Sequence, residues 1–141
     1  MDLLLNNMHG LLQGLSVVLQ PEQLFFIFAG CFLGTLIGVL PGIGPVGAIS
    51  ILLPITFQMS PTGAIVMLAG VYYGVMYGGS TASILVNVPG EAASVVTCLD
   101  GYQMARQGRA GPALGIAAIG SFLAGTVGLI GLQLIATPLA N

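Results

Sequence analysis

The sequence predicts an all-α integral membrane protein with about three transmembrane helices, two broken or re-entrant segments and short amphipathic surface helices. Three observations carry that prediction. Of 141 residues, 56% are apolar and 4% charged, against roughly a quarter charged in ordinary soluble domains, and the mean hydropathy is +1.04. Apolar runs of near-spanning length recur along the chain. Two stretches dense in proline and glycine interrupt those runs, and in lipid a break is tolerated only where the freed backbone groups are buried in protein or face water.

Charge excludes several functions. Asp2, Glu22, Glu91 and Asp100 are opposed only by Arg106 and Arg109, giving a net charge of −2 without any lysine. A nucleic-acid groove and a polybasic lipid switch both need clustered cations, so neither is expected. Cys31 and Cys98 stand apart, with no CxxC or Cys/His grouping, and read as small apolar residues rather than as a disulfide framework or metal site. Asp2, with no cation before the leucines that follow, is unlike the start of a cleavable signal peptide.

Residues 1–21 read as an interfacial helix. Leu4, Leu5, Met8, Leu11, Leu12, Leu15, Val18 and Leu19 form one stripe, with Asn6, His9, Gln13 and Ser16 elsewhere. His9, the only histidine, reads as solvated. Pro21 ends that helix or starts the next, with Glu22 in a first turn where the macrodipole favours an acid.

Residues 24–57 read as a span followed by a broken half-helix. Leu24 to Leu40 is unbroken and apolar, about 26 Å long at roughly 1.5 Å per residue. Gly30, Gly34 and Gly38 repeat at four-residue spacing, the pattern that lets a second helix approach closely. Gly38-Val39-Leu40-Pro41-Gly42-Ile43-Gly44-Pro45-Val46-Gly47 then forces a break, because proline lacks an N–H and glycine leaves the backbone loosely restrained. Val46 to Phe57 is too short to span. With Pro45 at its first position, its unpaired N–H groups aim into the break and form an anion site that needs no cation. The GxGxxG pattern from Gly42 to Gly47 is not a dinucleotide fingerprint: no soluble strand precedes it and no acid follows about 20 residues on.

Residues 63–90 read as a second span leading into a re-entrant stretch. Gly70, Gly74 and Gly78 make another close-packing face, and Tyr72, Tyr73 and Tyr77 suit either an interfacial belt or a cavity wall. Ser80, Thr81, Ser83 and Asn87 are neutral hydrogen-bonders able to hold a carboxylate or, through oxygens, a sodium ion, with Ser80, Thr81 and Asn87 the sodium candidates. Pro89 and Gly90 repeat the Pro-Gly of the first break, and a helix restarting at Glu91 has free N–H groups. Pairs of interrupted segments are the best sequence pointer to a transporter site, so Pro41, Gly42, Gly44, Pro45 and Val46 form one predicted wall and Ser80 through Gly90 the other.

Residues 91–110 read as a polar loop helix, N-capped by Asp100 and stopped by Gly108; both arginines lie there, a weak vote for the cytoplasmic side. Residues 113–137 form the last span, its Gly115, Gly120, Gly125, Gly128 and Gly131 suggesting close packing and Pro138 its end.

Gly38 through Pro45, Tyr77-Gly78-Gly79-Ser80-Thr81 through Asn87-Val88-Pro89-Gly90-Glu91, and Asp100-Gly101-Tyr102-Gln103-Met104-Ala105 with Gly108 together resemble the large membrane subunit of the tripartite tricarboxylate transporter family, TctA. The resemblance extends over essentially the whole chain, with Gln103 where many relatives carry proline. Such subunits are several times longer, so the chain resembles their N-terminal part. The resemblance implies a multi-pass bacterial inner-membrane permease that receives a carboxylate such as citrate from a periplasmic solute-binding protein. It would work with a small membrane subunit and the remaining part of the permease, driven by an ion gradient, with sodium the expected ion and no other cofactor.

Two other classes stay open on the sequence. An intramembrane hydrolase would use Ser80 after its two glycines, but the lone histidine is distant, lysine is absent and Gly-Gly-Ser-Thr-Ala is no nucleophile elbow. A structural or assembly subunit would have no substrate site and would tolerate helix-forming residues in place of both Pro-Gly stretches.

Overall fold

A computed structural model describes the backbone of residues 2–139 and the side chains of residues 9–132 and of Ile135. The described chain is helical: α1 (Asp2–Val18), α2 (Pro21–Gly38), α3 (Gly44–Thr56), α4 (Pro61–Val86), a short 3-10 turn (Ala92–Ser94), α5 (Val95–Arg106) and α6 (Ala110–Leu139). Three helices, α2, α4 and α6, are long and apolar enough to cross a membrane, and α3 is apolar but too short. The predicted fold class therefore holds.

The centre of the fold is the α2–α4 pair. A Cβ placed on Gly30, Gly34 or Gly38 would run into the backbone of Met67, Val71 or Val75 respectively. In return, a Cβ on Gly70 would lie 2.7 Å from the Ile27 carbonyl oxygen, and one on Gly78 2.5 Å from that of Thr35. The contacts advance together along both chains, so the two helices run parallel, backbone against backbone, as small-xxx-small faces allow. Parallel neighbours require the chain to cross back between them. α3 makes that return, and Ala48 and Leu52 from α3 close a core with Val71 and Val75 of α4, flanked by Leu33, Ile37 and Ile49.

Local signals set the ends. Pro21 and Pro61 occupy first-turn positions of α2 and α4, and the Ser60 side chain caps α4 by accepting from the Gly63 N–H at 3.2 Å. α5 begins at Val95, so Asp100 lies in its interior rather than capping it. Its end conforms to the predicted glycine stop: Gly108 has φ 76°, and the Arg109 N–H donates to the Met104 carbonyl at 2.9 Å.

α6 runs antiparallel to α4, placing Ala113, Ile116 and Ala117 near Ile84 and Gly125 near Tyr73. Its predicted tight glycine packing is not present among the described residues. Gly115, Gly120, Gly128 and Gly131 have open space where a Cβ would stand, because α6 meets α4 and α5 on one side only. Its helix also continues through Pro138 to Leu139. Leu11, Leu12, Leu15 and Leu19 of the N-terminal segment are exposed, as is His9, while Leu4, Leu5 and Met8 lie outside the described side chains.

These contacts predict opposite outcomes for two kinds of glycine. In thermal melts of the detergent-purified protein, Gly34→Leu is expected to cost about 3 kcal/mol or more, since backbone must move. Gly128→Ala on α6 should stay within about 0.5 kcal/mol of the parent.

Candidate functional site between two helix breaks

α2 ends at Gly38, and its last turn closes through Val39 N–H to the Thr35 carbonyl (3.2 Å) and Leu40 N–H to that of Ile37 (2.9 Å). The chain then turns through Gly42 (φ 83°) and Gly44 (φ 60°), a left-handed region costly for other residues. α3 starts at once, with proline in its first turn and no side chain capping it. The first-turn N–H groups of α3, including those of Gly44 and Val46, have no acceptor inside the helix, and the positive end of its dipole lies here.

The second break is shorter than predicted. Ser80 to Val86 are the last two turns of α4, not a re-entrant stretch. Their hydroxyls explain this: Thr81 donates to the Tyr77 carbonyl at 2.9 Å and Ser83 to that of Gly79 at 2.9 Å, within the helix itself. The helix ends at Asn87, whose φ of 59° makes it the one positive-φ non-glycine residue among those described.

Pro89 and Gly90 then carry the chain back alongside α4. A Cβ on Gly90 would lie 2.5 Å from the Gly79 Cα and 2.7 Å from the Gly38 carbonyl oxygen. The Gly42 N–H donates to the Gly90 carbonyl at 3.2 Å, tying one break to the other. The predicted restart at Glu91 does not leave its N–H free: it donates to Ser94 Oγ at 3.3 Å, while the Ser94 hydroxyl donates to the Glu91 carbonyl at 2.9 Å.

Between the breaks lies a cleft of about 560 Å³ lined by Gly42 to Val46 on one side and Pro89 to Ala93 with Val95 on the other. Its size falls within the roughly 300–1,000 Å³ usual for small-molecule sites. Because Gly90 packs level with Gly79 while α4 continues to Val86, the cleft sits about 10 Å below that end of α4. Of the predicted residues, Gly42, Gly44, Pro45 and Val46 meet Pro89 and Gly90 here. Pro41 is exposed next to it, and Ser80, Thr81, Ser83 and Asn87 are not among its lining residues: Ser83 is fully buried in α4, Ser80 is half-buried, and Thr81 and Asn87 lie at or near the surface.

Sequence reasoning passed over Ile43 and, above all, Glu91, which lines the cleft and is its one charged side chain. Glu91 read as a helix-start acid; its position directly after Pro89-Gly90 was the available signal. Burial holds its carboxyl above the ordinary carboxylate range.

A second cavity of about 510 Å³ lies between α4 and α6, lined by Cys31, Tyr73, Tyr77, Ser121, Phe122 and Thr126 among others. All three tyrosines are exposed; Tyr73 and Tyr77 line this open cavity, and the Tyr72 ring meets that of Tyr73 edge-on at 5.9 Å.

Three helices long and apolar enough to cross a membrane, one half-length helix and a cleft between two breaks give the architecture of a helical membrane protein. The family model for the tripartite tricarboxylate transporter TctA family matches residues 24–141, and the chain belongs to that family. It is also 55% identical, over its whole length, to an uncharacterized 52.8 kDa protein in the TAR-I ttuC' 3'region of Agrobacterium vitis. The chain spans 27% of that relative's length. No solved structure matches.

Two stability measurements check the cleft's construction. Gly90→Ala is expected to cost about 2 kcal/mol, because the new Cβ must displace backbone on two sides, and Gly42→Ala about 1 kcal/mol from its left-handed φ. The neutral form of Glu91 is favoured by the fold. Its contribution is therefore full below the ordinary carboxylate range and is lost as pH rises through the raised value. Thermal melts across that window should lose this decline in Glu91→Gln.

Proposed function

We propose that the chain forms the N-terminal part of a permease that takes up tricarboxylates or related organic acids across the bacterial inner membrane. The observation that carries this reading is the cleft, in which the uncapped N-terminus of α3 faces the Pro89–Gly90 turn. Free N–H groups and a helix dipole attract a carboxylate there without a fixed cation. Arg106 and Arg109 are outside the cleft lining.

Membership of the TctA family supports a tripartite arrangement. In it, a periplasmic solute-binding protein delivers the acid, and a small membrane subunit and the remaining part of the permease complete the path. Uptake is driven by an ion gradient, and the family resemblance alone points to sodium. The hydroxyls of Ser80 and Thr81 and the Asn87 amide remain its candidate ligands, above the cleft on the last turns of α4 and its cap. The reaction is transport, without covalent catalysis.

Citrate uptake by cells carrying the full-length permease tests the reading. Val46→Asp places a carboxylate at the N-terminus of α3, where its side chain is 79% exposed, and should reduce uptake at least tenfold while membrane levels stay constant. Arg106→Gln with Arg109→Gln should leave uptake within about twofold. Unimpaired uptake by Val46→Asp would sink the cleft as the carboxylate site, and absence of uptake by the parent permease would favour a structural subunit.

A further inference from the structure

We propose that the open groove between α4 and α6 seats a transmembrane helix from the part of the permease outside these 141 residues. That helix brings a hydrogen-bonding side chain to the hydroxyls of Tyr73, Tyr77 and Ser121. The proposal rests on the permease reading given above, because that reading makes the chain one part of a longer polypeptide.

Depth is the first observation. Cys31, Tyr73, Tyr77, Ser121 and Gly125 line the groove, and each stands in the middle third of its own helix. Tyr73 is about 20 Å from either end of α4 at roughly 1.5 Å per residue, whereas the hydrocarbon core ends about 15 Å from its midplane. These tyrosines are therefore too deep for an interfacial belt.

Hydroxyls at that depth need partners. Thr126 donates to the Phe122 carbonyl at 2.8 Å, so its hydroxyl is satisfied inside α6. Those of Tyr73, Tyr77 and Ser121 have no hydrogen-bond partner among the described residues. An acyl chain offers neither donor nor acceptor, so lipid would leave all three unmet. No residue of α1, α3 or α5 lines the groove, and water held at mid-depth would need a wall on the lipid side that this chain does not supply. A helix carrying a polar side chain closes the groove and satisfies the hydroxyls together.

Shape agrees with that occupant. The floor on α6 includes Ala118, Ser121 and Gly125, spaced three and four residues apart, a seam of small side chains that permits close approach. Tyr73 reaches this floor, its hydroxyl 3.8 Å from where a Cβ on Gly125 would stand. Half of the α4 span is buried by the rest of the chain, but almost none of α6 is. Each of the three hydroxyls can both donate and accept, so the incoming side chain is an amide, a carboxyl or another hydroxyl. The source is large enough: the 55% identical relative is a 52.8 kDa protein of which this chain spans 27%.

The test uses the full-length permease, purified without other subunits and reconstituted in phosphatidylcholine vesicles. A nitroxide is attached to Ala118→Cys in a background otherwise free of cysteine, and its collision rates with oxygen and with a water-soluble nickel chelate are measured. An immobilised label with low rates for both is expected. A high oxygen rate overturns the proposal in favour of lipid, a high nickel rate in favour of a water-filled cavity, and dipolar broadening between labels in favour of a second copy of the chain. Because a label could itself disturb packing, thermal melts of unlabelled Tyr73→Phe with Tyr77→Phe form the second measurement. Loss of paired hydroxyls should lower the melting temperature by about 2 °C or more; an unchanged or raised value overturns the proposal, since removing an unpaired hydroxyl from lipid costs nothing. Neither readout depends on transport, so absence of citrate uptake overturns the function proposed above without deciding what fills the groove.

Discussion

Contact between two glycine faces, α2 through Gly30, Gly34 and Gly38 and α4 through Gly70, Gly74 and Gly78, fixes everything that follows in this chain. In lipid there is no hydrophobic gain from bringing apolar helices together, so close van der Waals approach has to supply the association. That approach exists only where Cβ atoms are missing. The register it imposes puts Gly38 beside Gly78 and lets α4 continue past the end of α2. The overhang gives the returning segment at Pro89 and Gly90 a place to dock, and docking closes one side of the cleft. The parallel direction of the pair supplies the other side, since the chain must come back across and does so in the half-length α3. The cleft is thus a geometric consequence of the zipper, with its depth set by the difference in length between two parallel helices.

This explains which parts were legible in the sequence. Glycine spacing, proline at helix starts and the Pro-Gly interruptions are local signals, and the three spans, the half-helix and the break from Val39 to Ile43 followed from them. Ser80 to Val86 misled because hydroxyl side chains have two ways of being satisfied in an apolar setting. They can reach a ligand, or they can bond to the carbonyl one turn back, and Thr81 and Ser83 take the second way. No spacing rule separates the two. The glycines of α6 misled for the complementary reason: the same small-residue pattern that zips α2 to α4 lies open on α6, because a packing face is visible in one chain while its partner need not be.

Glu91 illustrates a limit of a different kind. In the sequence its environment is a helix start, for which an acid is ordinary; only the docking of Gly90 against Gly38 and Gly79 brings it into the cleft lining, with its Cγ beside Gly79. Tertiary contact, rather than local pattern, converts a first-turn acid into the one ionisable wall of a cleft. Pro89 and Gly90 line the cleft themselves, and they also bring Glu91 to the level of α3.

A site that loads and unloads an anion on every cycle is poorly served by deep attraction. A fixed arginine beside the anion would add a charge-assisted, bidentate interaction that has to be broken for release. The α3 N-terminus offers about half a unit of positive charge, enough to favour an anion and weak enough to give it up. The walls of the cleft match that modest attraction: apart from Glu91 its lining is Gly, Ile, Pro, Val and Ala, and no side-chain cation stands among them. Glu91 itself is tied into the start of the 3-10 turn, its N–H donating to the Ser94 hydroxyl and its carbonyl accepting from it.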